Sequence, residues 1–579
     1  MAADDFRARV LEHLVRIYPD EDNDEVCAQL LDALSITDPD PVDSHRNHWD
    51  ETNVVVITYG DTIVSENETP LSVLGDFLQR ELHDRTTTVH ILPFFPYSSD
   101  DGFAVIDYSS VNEALGDWQD LQAIAKEFGV MADVVINHMS SRGRWFENYK
   151  QNRDPGSDYF VEASPDADLS AVVRPRTSPL LAPVETVNGL KHVWCTFSHD
   201  QVDMNFANPK VLIEFARIIR QYLEYGIRWF RLDAVAFLWK EVGTPCIHLP
   251  QTHELIKLLR LLIETQAPDA VIVTETNVPN RENLTYFGNG NEAHVIYNFS
   301  LPPLIIHTLI SGDCRHLKTW QMSMPPAQQG TAYLNFIASH DGIGVRPAEG
   351  LMTPDETARM IETMERFGGH VTYRDIDGVQ QKPYEINIAL IDALAGTSAG
   401  GPDDLRYERF ICAHTIMLAL EGIPAFYIHS LLATPNDHER LENTGRLRSI
   451  NRHQWDAAAL ESALADPRSL HARVFNEIRR RIDIRRRHPA FHPNATQYTL
   501  HFGNAIFGFW RQSMRREQSI FALHNVTSQP QTVSLSELNL IATESWTELI
   551  RNTDIHHLHG ELTLRAYECA WLTNLQAEP

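Results

Sequence analysis

Eight short runs of β-branched and aromatic residues recur along this chain, and an amphipathic helical stretch follows each of them. Continuous apolar strands that alternate with helices are typical of a parallel sheet covered on both faces. Eight such units predict an α/β fold, a closed (β/α)8 TIM barrel. The runs are residues 54–61, 87–95, 130–138, 227–235, 270–277, 295–300, 332–341 and 422–430.

Two intervals between these runs are too long for a single helix. Residues 139–200 contain five prolines and little periodicity, which predicts an inserted domain B, and residues 342–405 predict a second insertion. From 495 to 579, apolar and polar residues alternate without helical stretches, which predicts a C-terminal antiparallel β domain. The remaining expected boundaries are a helical N-terminal extension at 1–50 and barrel segments at 51–138, 201–341 and 406–494.

The composition limits the possible partners. The chain has 49 Lys and Arg against 78 Asp and Glu, a formal net charge of −29. This charge argues against nucleic acid as a partner and requires a local group of arginines for any anionic substrate. Three features predict a cytoplasmic protein without membrane contact. The six cysteines are isolated from one another, the start has no basic leader, and the sequence has no apolar run of about 18 residues. We further expect no metal, and a monomer or homodimer.

Acidic residues end three of the eight runs. Asp233, Glu275 and Asp341 end the fourth, fifth and seventh runs, which places three carboxylates around one barrel mouth. A single acid after a strand is more often a helix cap, but three acids together favour catalysis over stability. Glycosidic bond cleavage needs one ionised carboxylate and one with a raised pKa. Arg231 lies on the same strand face as Asp233 and predicts an ionised nucleophile there, with Glu275 as the acid/base.

The strings at these strand ends, ADVVINH, RWFRLDAV, VTET and ASHD, resemble the four signature regions of the α-amylase superfamily. Other strings, among them ILPFFPYSSDDGF, WCTFSHDQVDMN and GRLRSINRHQW, look like the sucrose phosphorylase group of that superfamily. Enzymes of this group transfer glucose between a small acceptor and inorganic phosphate with retention. The resemblance implies reversible phosphorolysis of a small α-glucoside to α-D-glucose 1-phosphate by double displacement, with no cofactor.

The resemblance also implies roles residue by residue. It makes Asp341 the transition-state stabiliser and predicts that Asp100 and Arg448 pair at the floor of the glucose subsite. A subsite closed in this way fits a transferase that acts on one terminal glucose. The other positions that it implies for binding glucose or orienting carboxylates are Phe103, His138, Phe197, Gln201, Arg231, Phe237 and His340.

Phosphate binding is implied for one loop of domain B. Arg174 and Arg176 match the loop that supplies a phosphate-binding arginine in sucrose phosphorylases, with solvated loop arginines as the alternative. Guanidinium forks suit phosphate oxygens. The mobile acceptor and phosphate loop of the group matches Tyr384 and Glu385 in the second insertion.

The acceptor side departs from sucrose phosphorylases, which have Tyr at the position of Phe237 and Gln at that of Glu385. The strings SHDGIGVRPAEG and KPYEIN look more like the glucosylglycerate phosphorylases of the same group. We therefore expect a glycerate-type acceptor whose carboxylate pairs with Arg346, and Glu385 holding an arginine in place. The alternatives are a glucosylglycerol, sucrose or sucrose 6-phosphate phosphorylase, a plain α-glucosidase without need of Arg174 and Arg176, and a non-catalytic amylase-like binding protein.

Overall fold

The computed structural model describes residues 2–37, 46–375, 381–541 and 543–574. Its centre is a set of eight strands: β1 Val55–Thr58, β2 Thr88–Ile91, β3 Gly129–Val134, β4 Ile227–Leu232, β5 Val271–Thr274, β6 Val295–Tyr297, β7 Ala332–Asn335 and β8 Ile423–Tyr427. These strands pair in parallel in chain order, and β8 closes the barrel on β1. The predicted TIM barrel is therefore confirmed, and each of the eight apolar runs overlaps one of its strands.

Helices cover the outside of the barrel. In helix Pro209–Glu224, Asn208 accepts a hydrogen bond from the backbone N–H of Lys210, and a proline opens the first turn, where a missing N–H is harmless. Its apolar residues recur at helical spacing and are buried against the barrel. The other long helices are Pro70–Leu82, Trp118–Ala125, Pro250–Gln266, Leu301–Ser311, Arg315–Ser323, Arg406–Ala419, Ala457–Ala465 and Leu470–Arg485.

Two N-terminal helices, Ala2–Ile17 and Asn23–Ala33, pack on these outer helices. The ring nitrogen Nδ1 of His13 lies 2.8 Å from a carboxylate oxygen of Glu254 in helix Pro250–Gln266. Part of the segment expected to lead from this extension into the barrel, residues 38–45, lies outside the described residues.

The segment between β3 and β4 begins and ends beside the barrel mouth. Its first strand, His138–Ser140, pairs antiparallel with its last, Gln201–Asp203. Between them are helix Arg144–Lys150 and a hairpin of strands Leu181–Thr186 and Gly189–Trp194. This pairing fixes the loop ends that carry several of the expected sugar-binding residues.

The segment between β7 and β8 forms a second small sheet. Strand Gln381–Asn387 pairs antiparallel with Ile343–Gly344 on one side and His370–Asp375 on the other. Helix Pro354–Arg366 connects the outer two strands. The tip of the expected mobile loop, residues 376–380, lies outside the described residues.

The predicted C-terminal antiparallel domain is also confirmed. Its six-stranded sheet has the order Thr496–Phe502, Ile506–Gln512, Ser519–Asn525, Cys569–Thr573, Trp546–Glu548 and Thr553–Ile555, and strands Gln531–Ser534 and Glu561–Leu564 form a further pair. Shorter elements complete the described fold: helices Asn280–Asn283, Leu390–Ala393, Ile428–Leu431 and His438–Thr444, and strands Ile63–Val64, Trp455–Asp456, Gly396–Thr397 and Gly401–Pro402. Among the described helices, none combines the length and the apolar character that crossing a bilayer requires.

Candidate active site

Three acidic side chains at the carboxyl ends of barrel strands line one cavity, here called the active-site cavity. Asp233 directly follows β4, Glu275 directly follows β5, and Asp341 lies in the loop after β7. Most other residues singled out from the sequence line the same space. The further lining residues are Asp100, Phe103, His138, Arg176, Phe197, Gln201, Arg231, Ala234, Asn277, His340, Tyr384, Glu385 and Arg448.

A larger cavity of about 550 Å³, the outer cavity, opens beside it. The two cavities share seven lining residues: Asp100, Arg176, Phe197, Gln201, Tyr384, Glu385 and Arg448. The outer cavity adds polar residues of the loop before helix Trp118–Ala125 and of the loop after β8, among them Ser99, Asp101, Arg446 and Arg452. A small substrate in the inner space therefore faces a polar entrance that contains several arginines.

Asp233 is held by an arginine from its own strand. The Arg231 guanidinium donates one hydrogen bond to Asp233 Oδ1 at 2.8 Å and another to Asp133, which lies on the neighbouring strand β3. His90 Nε2 lies 2.8 Å from the second oxygen of Asp133. Burial raises the pKa of Asp233, and the charge and hydrogen bond of Arg231 oppose that rise. The carboxylate of Asp233 thus faces the cavity in a fixed orientation.

Glu275 has a weaker set of partners. Its Oε2 accepts a hydrogen bond of 3.1 Å from the backbone N–H of Ala234, so this carboxyl lies beside the residue that follows Asp233. Burial raises the pKa of Glu275 to about 7; Arg231 opposes this rise, and the negative charges of Asp233 and Asp341 add to it. A carboxyl group with this pKa can donate a proton near neutral pH.

Asp341 is the most strongly ionised of the three acids. Burial alone would raise its pKa, but the charges of Arg448, Arg231 and Arg452 outweigh burial and hold the pKa well below its usual range. Arg448 Nη1 lies 2.6 Å from Asp341 Oδ1. Burial lowers the pKa of His340 to about 3 against the attraction of Asp341, so this imidazole is neutral.

Aromatic and amide groups form another part of the cavity wall. The Phe103 ring stacks on His340 with centroids 5.2 Å apart and planes 8° apart. Gln201 Nε2 donates to Asp100 Oδ2 at 3.2 Å and lies 3.1 Å from His138 Nε2. Asp100 is half-buried, and its partial burial would raise its pKa, but Arg448 and two further arginines lower the pKa below the usual value, so the carboxylate can accept hydrogen bonds in the cavity.

The expected pair of Asp100 and Arg448 is not formed. The Arg448 guanidinium makes its ion pairs with Asp341 and Glu385, and Asp100 accepts from Gln201 instead. The physical reason is that the carboxylates of Asp341 and Glu385 together engage all three nitrogens of the Arg448 guanidinium, Nη1, Nη2 and Nε. Glu385 does hold an arginine, as the sequence predicts, and that arginine is Arg448.

Arg176 is the arginine of domain B that reaches both cavities. Its guanidinium carbon lies 5.9 Å from the centre of the Phe197 ring and 5.7 Å from that of Tyr384. In the part of the chain that the structure describes, Arg176 forms no ion pair with a carboxylate. Burial raises the pKa of Tyr384 to about 12, so its hydroxyl stays protonated beside Arg176.

Three of the expected residues do not line either cavity: Arg174, Phe237 and Arg346. Phe237 packs edge-on behind Phe197, with centroids 5.7 Å apart. Arg346 lies in a single 3-10 turn, Arg346–Ala348, and its guanidinium is 3.8 Å from Glu282, whose negative charge attracts it. The expectation that Arg346 meets the acceptor carboxylate therefore has no support in the geometry.

Sequence reasoning missed Asp101, Arg446 and Arg452. Asp101 accepts ion pairs from both arginines, and Arg452 Nε also donates to the backbone carbonyl of His340 at 2.9 Å. Asp100 and Asp101 both have positive φ, 53° and 47°, and Gly102 follows at 112°. The Asp-Asp-Gly string indicates such a turn in the sequence, because aspartate and glycine tolerate the left-handed region of backbone conformation.

One group of possible metal ligands occurs among the described residues, outside both cavities. Side-chain atoms of His307, His316 and Glu356 lie within 4.8 Å of one another. Glu356 already accepts hydrogen bonds from Arg315 and from the backbone N–H of Thr353. Thr353 and Glu356 together form the capping box of helix Pro354–Arg366. A guanidinium and a helix N-terminus at this carboxylate both disfavour a cation.

Known proteins are similar to this chain in sequence and in fold. The family model "Alpha amylase, catalytic domain" matches residues 82–346. A glucosylglycerate phosphorylase of Allomeiothermus silvanus is 41% identical over 98% of this chain and 99% of its own length, and one of Escherichia coli is 40% identical over 91% and 93%. The solved sucrose 6F-phosphate phosphorylase of Thermoanaerobacter thermosaccharolyticum has 22% identity and a TM-score of 0.72, covering 89% of this chain and 98% of that one. The chain therefore belongs to the α-amylase family, in the branch that contains the glucosylglycerate phosphorylases.

Proposed function

We propose that the protein is a retaining glycoside phosphorylase that converts 2-O-α-glucosylglycerate and inorganic phosphate into α-D-glucose 1-phosphate and D-glycerate, reversibly. The observation that carries this proposal is the combination of three strand-end carboxylates with Arg176, an arginine that forms no ion pair with a carboxylate among the described residues, in one cavity. The acids supply glycosyl transfer, and the arginine supplies a site for an anionic acceptor.

The first half of the reaction uses Asp233 and Glu275. Asp233 attacks the anomeric carbon from one face while protonated Glu275 gives its proton to the departing glycerate oxygen, which leaves a β-glucosyl ester on Asp233. The raised pKa of Glu275 suits the donor, and the Arg231 hydrogen bond suits the nucleophile. Asp341 stabilises the positive charge that develops on the sugar ring.

The second half runs the same steps with phosphate. Glu275, now ionised, takes a proton from phosphate, and the phosphate oxygen attacks the anomeric carbon from the face that glycerate left. Two inversions give net retention, so the product is the α-anomer. Asp100, Gln201 and His138 are placed to hold sugar hydroxyls throughout.

Phosphate and glycerate share one position in this scheme, because a phosphate oxygen and the 2-hydroxyl oxygen of glycerate attack the same carbon from the same face, which leaves the glycerate carboxylate beside the place where phosphate binds. We assign Arg176 to that position in place of Arg346, because Arg176 lines the cavity and Arg346 lies beside Glu282. A charge-assisted hydrogen bond contributes roughly 1.5–3 kcal/mol, so glycerate gains about 10- to 100-fold over the uncharged glycerol.

The deciding experiment is synthesis from α-D-glucose 1-phosphate with D-glycerate, glycerol, fructose or fructose 6-phosphate as acceptor, side by side, and a reaction without acceptor. We expect the fastest phosphate release with D-glycerate. Faster release with glycerol or with a fructose acceptor would transfer the assignment to a glucosylglycerol or sucrose-type phosphorylase. Free glucose as the main product under all conditions would indicate an α-glucosidase.

A further inference from the structure

Glu385 lies at the junction between the second insertion and the catalytic acids. It belongs to strand Gln381–Asn387 and is only 2% exposed. Arg448 donates to both of its carboxylate oxygens, from Nη2 to Oε1 at 2.7 Å and from Nε to Oε2 at 3.2 Å. Such a two-point contact fixes the plane of the guanidinium. The third nitrogen of Arg448, Nη1, is then directed at Asp341 Oδ1, 2.6 Å away.

The backbone makes a second connection between the same two places. Gly344, three residues after Asp341, pairs with Glu385 in the antiparallel sheet. Gly342 lies against Glu385 so closely that an added Cβ would be 2.9 Å from the Glu385 Cβ and 3.1 Å from its Oε2. The loop that carries Asp341 is thus packed on the strand that carries Glu385, and neither can shift alone.

The charges around the outer cavity explain why Glu385 is not free to bind an acceptor. Arg446 and Arg452 are paired with Asp101, and Arg448 is paired with Asp341 and Glu385. A buried carboxylate is stable only while it keeps such partners. An acceptor carboxylate would be repelled by Glu385 and attracted by Arg176.

We propose that Glu385 is a positioning residue for the glycosyl-transfer step: by fixing the plane of Arg448, it orients Asp341, and it does not contact the acceptor. This inference rests on the proposed function only for the identity of the acceptor. The loss of Glu385 should slow both half-reactions, since Asp341 acts whenever positive charge develops on glucose.

The test compares Glu385→Gln and Glu385→Asp with Glu349→Gln. Glu349 is a matched control, because it pairs with Arg374 at 3.0 Å in the same insertion but is half exposed and lines neither cavity. For each variant, kcat and KM are measured from α-D-glucose 1-phosphate with D-glycerate, with glycerol and with water alone. Circular dichroism and the melting temperature establish that each variant is folded.

We expect Glu385→Gln to lower kcat by about 10- to 100-fold with all three acceptors alike, and to change KM for D-glycerate and for glycerol less than twofold. Glu385→Asp should recover part of the loss, and Glu349→Gln should match the wild type. An unchanged rate with water together with an altered ratio of glycerate to glycerol would overturn the proposal and assign Glu385 to the acceptor. An unchanged kcat with every acceptor would overturn it as well.

Two features keep this test independent. If Glu385→Gln does not fold, Arg448→Lys retains the charge but removes the two-point contact, and the proposal then requires the same uniform loss of kcat. The rate with water does not depend on which acceptor is natural. A failure of the glycerate assignment therefore appears in the acceptor ranking of the wild type, separately from the effect of Glu385.

Discussion

Replacing Glu275 with Gln should inactivate the enzyme and stabilise its fold at the same time. The pKa of Glu275 rises from an ordinary value of 4.5 to about 7, because burial and two nearby carboxylates disfavour its charged form. The folded protein therefore binds the Glu275 proton more tightly than the unfolded chain does. As pH rises from about 4.5 to 7, the unfolded chain loses this proton first, and the folded state loses stability.

The size of the effect follows from that difference. The pKa of Glu275 differs between the unfolded and folded states by the interval from 4.5 to about 7. At roughly 1.4 kcal/mol per pKa unit, this difference destabilises the folded wild type by about 3 kcal/mol at pH 8. A neutral glutamine removes this destabilisation. For a chain of 579 residues, the unfolding entropy converts this energy into an increase of about 2 to 3 °C in melting temperature. Below pH 4.5 the side chain at position 275 is neutral in the wild type as well as in the variant, and the difference between their melting temperatures should vanish.

The assay is thermal unfolding of wild type and Glu275→Gln at pH 4.5, 6 and 8, with Glu349→Gln as an exposed control. We expect the Glu275→Gln advantage to grow with pH and the control to match the wild type throughout. Phosphorolysis by Glu275→Gln should fall by about 10²- to 10⁴-fold. Equal melting temperatures of variant and wild type at pH 8, or an advantage that is largest at pH 4.5, would refute the reasoning.

Three further results are expected. Asp233→Ala should reduce turnover at least 10³-fold while circular dichroism stays unchanged, because no glucosyl ester can form; more than a tenth of wild-type activity would exclude this nucleophile. Arg176→Ala should raise KM for phosphate, for glycerate and for the glucoside, which carries the same carboxylate, with little change in KM for glycerol, whereas Arg346→Ala should leave the glycerate-to-glycerol ratio as in the wild type. The rate of phosphorolysis at low substrate should decline above about pH 7 as Glu275 loses its proton, and a rate that is flat to pH 9 would contradict its role as the acid.

The barrel and its three acids were predictable because they depend on local pattern. Apolar runs of strand length mark each barrel strand, and a side chain directly after such a run must lie at the mouth of the barrel. Asp233 and Glu275 follow their strands directly, so their position required only the strand ends. Asp341 required slightly more, because its loop runs on for several residues after β7.

The choice of partner for each arginine was not predictable in this way. Arg448 and Glu385 are separated by 63 residues, and the contact depends on how an inserted sheet packs on the loop after β8. Arg346 looked equally suitable as an anion ligand in sequence, but a 3-10 turn places it beside Glu282. Ion pairs between loops depend on tertiary geometry, and residue types and their spacing in the sequence do not predict that geometry.

The arginine shared by Asp133 and Asp233 has a consequence for the covalent intermediate. Before reaction, Arg231 lies between two carboxylates, so this buried trio has a net charge of −1. Esterification of Asp233 removes one negative charge and leaves Arg231 and Asp133 as a neutral pair. Without Asp133, the Arg231 guanidinium of the glucosylated enzyme would have lost both of its hydrogen-bonded carboxylates. Asp133 is thus the counter-ion of the intermediate, although it never touches the substrate.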